Sequence, residues 1–108
     1  MNRIVQFIQS HEKIVICGAG EEAKALMLQI ECRLNKEDIG KLEFYDKKAV
    51  HINYNFAGKK VMGLKELVER CKDYYMLIAT SRFRKEIFCS LVENMVDPQH
   101  ITVISDWI

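Results

Sequence analysis

Gly18-Ala19-Gly20-Glu21-Glu22-Ala23 is the stretch of this 108-residue chain whose residue types and spacing point most directly to a ligand. It follows the Gly-x-Gly-x-x-Gly/Ala pattern. Gly18 would allow a tight turn, Gly20 would let backbone amides approach a pyrophosphate, and the small Ala23 would let a helix lie close to a sheet. A helix opening at Gly20 would aim its first N–H groups at that anion. The same two glycines also suit a bare strand-to-helix turn. Glu21 and Glu22 oppose anion binding unless they face solvent, because carboxylates in the first turn already satisfy the helix dipole.

Asp46 lies roughly 20 residues beyond Ala23, the spacing at which a carboxylate accepts hydrogen bonds from a ribose diol, although Asp also commonly ends a strand. Lys47 and Lys48 follow it. They would either offset its charge toward a further phosphate or remain solvated. Thr80 and Ser81 offer hydroxyls to the same ligand, with Ser81 equally suited to capping a helix. Arg82 and Arg84 come next, within reach of a phosphate or simply solvated. The expected binding set is therefore Gly18, Ala19, Gly20, Glu21, Asp46, Lys47, Thr80 and Ser81.

Residues for catalysis do not assemble. His11, His51 and His100 are scattered over expected loops without a carboxylate or thiol at useful spacing. No tyrosine is followed four residues later by lysine, the pair that short-chain dehydrogenases use for proton transfer. Cys17, Cys32, Cys71 and Cys89 form no Cys-x-x-Cys pair and each falls in an apolar stretch. They are expected on separate buried elements, reduced and free of metal.

The elements that must position the binding set follow from periodicity. Ile4, Val5 and Ile8 recur at helical spacing, then Ile14-Val15-Ile16-Cys17 is a short, continuous, β-branched run. Runs of that kind are buried in parallel sheets. Ala23, Leu26, Met27, Ile30 and Leu34 share one face of a helix expected over residues 20–35. Residues 41–46 alternate as a less covered strand, and residues 47–63, with only brief apolar pieces such as Val61-Met62, read as a long loop containing one short strand. Leu64, Leu67, Val68 and Cys71 mark a two-turn helix, and Tyr75-Met76-Leu77-Ile78-Ala79 a second buried strand. Phe83, Ile87, Phe88, Leu91, Val92 and Met95 then draw a broad stripe assigned to the core, with Asp97-Pro98 ending the helix. Ile101-Thr102-Val103-Ile104 closes the pattern, and Trp107-Ile108 hints at apolar surface left for a partner.

Strands alternating with helices at this spacing imply right-handed βαβ units. The expected fold is a single α/β domain over residues 1–108. Its core is a Rossmann-like open parallel sheet of about five strands in the order 3-2-1-4-5, with helices on both faces. Sixteen Lys and Arg against fifteen Asp and Glu leave a formal charge of +1. That is too little to build a nucleic-acid surface. No apolar run reaches the roughly 20 residues that cross a bilayer, so a cytoplasmic protein without membrane insertion is expected.

Beyond the turn, the blocks beginning Lys13-Ile14-Val15-Ile16-Cys17-Gly18 and Leu42-Glu43-Phe44-Tyr45-Asp46, with Gly58-Lys59-Lys60-Val61-Met62-Gly63, Tyr75 to Thr80 and Asp97 to Ile104, resemble the small Rossmann-like domains attached to bacterial surface-polysaccharide enzymes. Such domains stand at the N-terminus of capsule nucleotide-sugar epimerases and dehydratases. Related blocks occur in the N-terminal domains of sugar O-acyltransferases, but those continue the glycine pair as Gly-Gly-His-Gly where this chain has Glu-Glu-Ala-Lys. The resemblance implies NAD or a nucleotide-sugar as ligand, held by Gly18, Gly20 and Asp46.

One such sheet can bind a nucleotide but has little left to place a substrate against it, so a domain that is non-catalytic on its own is expected. It would work as a homo-oligomer or beside a catalytic partner domain. The rival readings are a fragment or subunit of an epimerase or dehydratase, and a ligand-free protein-interaction module.

Overall fold

Strand β1 (Ile14–Cys17) is buried along its whole length and occupies the middle of a parallel sheet. Its uninterrupted apolar run requires that place. A computed structural model describes residues 2–50 and 55–104 of the chain. Strand β2 (Leu42–Tyr45) pairs with β1 from Ile14 opposite Leu42 to Cys17 opposite Tyr45. The β3 (Asn55–Phe56) and β4 (Lys59–Lys60) strands form a separate antiparallel hairpin. Strand β5 (Tyr75–Ile78) lies on the other side of β1, and β6 (Ile101–Val103) lies beyond β5. The sheet order is thus β2-β1-β5-β6, all parallel.

Side chains alternate across β1 and seed two cores. Ile14 and Ile16 meet α1 (Asn2–Ser10) and α2 (Glu21–Ile30) through Ile4, Ile8, Ala23, Met27 and Ile30. Val15 and Cys17 meet α4 (Leu64–Cys71) and α5 (Arg84–Glu93) through Leu67, Cys71 and Leu91. The architecture is α/β with helices on both faces.

Among the described residues four strands, not five, make this sheet, in the order β2-β1-β5-β6 rather than 3-2-1-4-5. The place outside β2 holds a single parallel bridge between Tyr45 and Met62, where Met62 N–H donates to Phe44 at 2.9 Å and Asp46 N–H donates to Met62 at 3.2 Å. The reason is how residues 47–63 are spent. A 3₁₀ turn takes Lys47–Val50, and the β3–β4 hairpin turns through Ala57 and Gly58, both at positive φ. Two-residue hairpin turns demand that geometry. Among the described residues of this stretch only Val61 and Met62 then remain before Gly63 caps α4. The hairpin is held down by Phe56 against Phe44, ring centroids 5.1 Å apart, and by Lys59, whose ammonium donates to the carbonyls of Gly40 and Leu42. With that cover, three of the four β2 residues are buried, more than the alternation of residues 41–46 suggests.

Helix α2 also departs from expectation by ending at Ile30. A 3₁₀ turn (Glu31–Arg33) follows. Asn35 then starts the short α3 (Lys36–Gly40), its side chain accepting a hydrogen bond from Asp38 N–H at 2.7 Å. Asn is a favoured residue at that capping position.

The larger correction concerns α5. Of its expected core stripe only Leu91 is buried, while Phe83, Phe88 and Met95 are 47%, 36% and 77% exposed. The six apolar residues span more than one face, and the helix closes before it reaches Met95. There Val96 N–H returns to Leu91 and Met95 N–H to Val92. Met95 itself sits in the left-handed region with φ +70°. Together these make a Schellman closure. Asp97 belongs to the next element, capping the 3₁₀ turn Pro98–His100. Of the cysteines, Cys17 and Cys71 are buried, but Cys32 and Cys89 are exposed, because their helix positions face outward.

At the amino ends of the strands Phe7, His11, Tyr75 and His100 stack in a column with centroid spacings of 4.1, 4.2 and 4.5 Å. His51 and Trp107-Ile108 lie outside the described residues. Among the described residues no helix is long and apolar enough to cross a membrane.

Candidate ligand-binding crevice

Sheet order reverses between β1 and β5: the chain leaves β1 through α2 to reach β2 on one side, and later enters β5 on the other. Loops at the carboxyl ends of strands diverge at such a point, and ligands of open α/β sheets sit between them. All eight sequence-predicted residues lie on the loops after β1, β2 and β5 or at the start of α2.

Gly18 is needed for two reasons. Its φ is +95°, and a Cβ there would stand 3.1 Å from Thr80 Cγ2, tighter than side chains normally pack. Only glycine tolerates that φ at no steric cost. The β1 and β5 loops therefore touch at the crevice floor. Gly18 N–H donates to Tyr45 at 2.8 Å and Ala79 N–H donates to Cys17 at 2.9 Å, prolonging the ladder past the strands on both sides. Gly20 differs: φ is −95°, it is exposed, and nothing lies within 4 Å of an added Cβ. It caps α2 with no side chain. The first turn therefore opens onto the crevice without an internal cap for its amides.

Asp46, nominated as a ribose acceptor, lies beside the turn with its carboxylate held by backbone amides. Its Oδ2 accepts from Ala19 N–H at 2.8 Å and its Oδ1 from Lys48 N–H at 2.9 Å. Each oxygen keeps a lone pair for a further donor. Tyr45, just before it, has its phenol pushed up to about 12 by burial, with Cys17 and Asp46 adding to the shift. Burial also pushes the Cys17 thiol far up. It is no nucleophile, since only a thiolate attacks.

Thr80 and Ser81 serve a partner the sequence did not nominate. Both carboxylate oxygens of Glu22 accept from Ser81 N–H at 3.1 Å, and they accept from Ser81 Oγ at 3.2 and 3.0 Å. Thr80 Oγ1 donates to Glu22 Oε1 at 3.3 Å. Partial desolvation raises the Glu22 pKa, but the hydrogen bonds from Ser81, Thr80 and the Arg82 backbone outweigh it and hold the carboxyl below its usual value. Hydrogen bonds to the ionised form favour that form. Ser81 is consequently not a helix cap; Phe83 holds that position in α5 with no side-chain bond. Nothing local to either residue announces this clasp, since its ends are 59 positions apart in the chain.

The other nominated residues are peripheral. Glu21 and Lys47 are exposed, and it is the Lys48 amide rather than a lysine ammonium that meets Asp46. Arg82 lies over the Phe83 ring, 5.2 Å from its centroid. A shallow depression of about 300 Å³ lined by Lys13, Val68, Arg70, Lys72, Asp73 and Tyr74 lies at the opposite, amino end of β1 and β5.

The crevice thus joins an uncapped helix start, a pinned carboxylate at the end of β2, and two hydroxyls already engaged by Glu22. Such a set can accept hydrogen bonds from hydroxyls at Asp46 and donate to an anion from the α2 backbone. No curated protein and no solved structure matches the chain. Over residues 10–102 the sequence conforms to one protein family, and the chain belongs to it: the family described as C2185-like, N-terminal.

Proposed function

We propose that this domain is Rossmann-like and binds a nucleotide-containing small molecule, NAD or a nucleotide-sugar, across the crevice, and that it is non-catalytic on its own. The observation that carries the reading is the bare Gly20 cap of α2 standing at the switch point beside Asp46. Exposed backbone at Gly20 suits a pyrophosphate, and the lone pairs left on Asp46 suit a ribose diol. The polysaccharide-enzyme resemblance adds weight to a nucleotide-sugar.

A ligand that binds only the native state adds RT ln(1 + [L]/Kd), about 2.7 kcal/mol at a hundredfold excess over Kd. NAD(H) or a uridine-diphosphate sugar should then raise Tm by roughly 10 °C. Gly20→Val should abolish that shift with an unchanged circular dichroism spectrum, because the added methyls enter open space in the fold but obstruct the ligand. Undiminished affinity in this variant would sink the assignment.

A second reading rests on the Glu22 clasp, which puts a carboxylate on the donors of Thr80 and Ser81. If no nucleotide stabilises either the native chain or Glu22→Gln, the crevice is closed to anions and the domain is a protein-interaction module.

A further inference from the structure

Two carboxylates at the crevice are held in different ways. Asp46 takes one backbone donor on each oxygen, at 2.8 and 2.9 Å. Those lengths are usual for hydrogen bonds to a charged group. Glu22 is held loosely: its contacts with Ser81 and Thr80 all lie between 3.0 and 3.3 Å, and all are exposed. Ser81 N–H and Ser81 Oγ each straddle both of its oxygens. We propose that the loop after β5, residues 80–82, is a receptor for a phosphate group, and that Glu22 is an internal competitor that latches this receptor until a phosphate displaces its carboxylate. The proposal rests on the crevice being a ligand site, as read above, and adds a second anchor and a regulation to it.

The balance of donors and acceptors favours phosphate over the carboxylate now in place. Ser81 N–H, Ser81 Oγ and Thr80 Oγ1 each bring one proton, and the Arg82 backbone adds to the hold on Glu22. A carboxylate meets those donors with two oxygens, so protons are shared between them. A phosphate monoester brings three terminal oxygens, one for each donor on Ser81 and Thr80, and a larger negative charge. Consecutive backbone N–H groups in a turn, as at Ser81 and Arg82, form concavities in which anions settle. The residues that follow are basic on balance, Arg82, Arg84 and Lys85 against Glu86.

The fold itself does not depend on the latch. Glu22 is an exposed residue of the first turn of α2, and Glu21 beside it offers the same charge to the helix dipole. Its side chain is free to swing away without uncovering the core, which α2 fills with Ala23, Leu26, Met27 and Ile30.

The test is a titration of the isotope-labelled full chain with inorganic phosphate, and separately with NAD and with uridine-diphosphate glucose, followed at each backbone amide by NMR. A latch closed about nine-tenths of the time lowers apparent affinity about tenfold. Glu22→Ala should therefore bind phosphate about tenfold more tightly than the native chain, with the Ser81 and Arg82 amides moving most. Glu22→Asp keeps the charge but draws the carboxylate back by one carbon–carbon bond, about 1.5 Å. It should still tighten binding about threefold, where an effect of charge alone would leave affinity unchanged. Thr80→Val with Ser81→Ala on the Glu22→Ala background should cancel the gain, the valine keeping the methyl that faces Gly18. Glu22 is exposed, so circular dichroism of its variants should stay unchanged. Nucleotides that follow the same order as phosphate would identify the phosphate group as theirs. Phosphate that moves Ser81 and Arg82 where neither nucleotide does would retire the nucleotide reading and leave the latch standing. Equal phosphate affinity in the native chain and Glu22→Ala, a gain absent from Glu22→Asp, or shifts confined to residues 20–23 would overturn the latch, even with both nucleotides bound.

Discussion

Helices α2 and α5 are each ten residues long and each follows a central strand, yet α2 buries four side chains and α5 buries one. The difference starts in the turns that lead into them. Gly18 at positive φ and the fully buried Ala23 let α2 settle onto the sheet, where Leu26, Met27 and Ile30 complete its seat. The β5–α5 connection has no glycine and places Phe83 at the cap, and α5 is fixed chiefly by Leu91 with Val96 closing the helix end. One helix belongs to the core; the other is carried by the fold and displays its surface. Length and apolar content alone do not distinguish them.

The largest expected effect sharpens this contrast. Ile30 and Leu91 are both fully buried. Ile30→Ala and Leu91→Ala should each cost about 2–5 kcal/mol in denaturant unfolding. Phe88→Ala, at an exposed position, should cost under about 1 kcal/mol in the same measurement. A Phe88 loss as large as that of Leu91 would break the comparison.

Intermediate effects come from the turn. Gly18 combines a positive φ with a close approach to Thr80. Gly18→Ala should therefore destabilise by about 1–2 kcal/mol in the same denaturant measurement, the usual penalty of a Cβ in the left-handed region. At Gly20 the φ is ordinary and the surroundings are open. Gly20→Ala should be close to neutral, because the restriction of the unfolded chain is offset by the preference of a helix N-cap for glycine over alanine. Equal losses at the two glycines would show that the turn is not anchored at the β1–β5 contact.

The smallest effect is electrostatic. Glu22 has a lowered pKa in the fold, so its clasp contributes stability at neutral pH. That contribution is lost as pH falls below the ordinary glutamate range and through the lowered value of Glu22 itself. The group is well exposed, so solvent screening keeps the change small. Tm measured against pH should therefore decline less steeply in acid for Glu22→Gln than for the native chain. Parallel curves would mean that the clasp contributes no stability.

The elements around the candidate site were legible because they depend on local chemistry. The uninterrupted Ile14-Val15-Ile16-Cys17 run, the glycine turn after it and the acid ending β2 each carry their own reason, and the fold brings Asp46 to Ala19 accordingly. What stayed hidden depends on distant or absent constraints. The Glu22 clasp joins residues from two different crossovers. The missing outer strand turned on a hairpin whose two-residue turn begins with Ala57, a residue that does not advertise positive φ. The orientation of α5 could not be fixed by six apolar residues distributed over more than one face.

Lys59 has a consequence for how the protein behaves in a crowded solution. The open flank of a sheet is adhesive, since unpaired carbonyls and amides invite a strand from another molecule and can seed fibrils. On the β2 flank the Leu42 carbonyl is taken by the Lys59 ammonium and the Phe44 carbonyl by Met62 N–H. A charged side chain and a short length of backbone thus passivate that flank, doing with a lysine what a fifth strand would otherwise do.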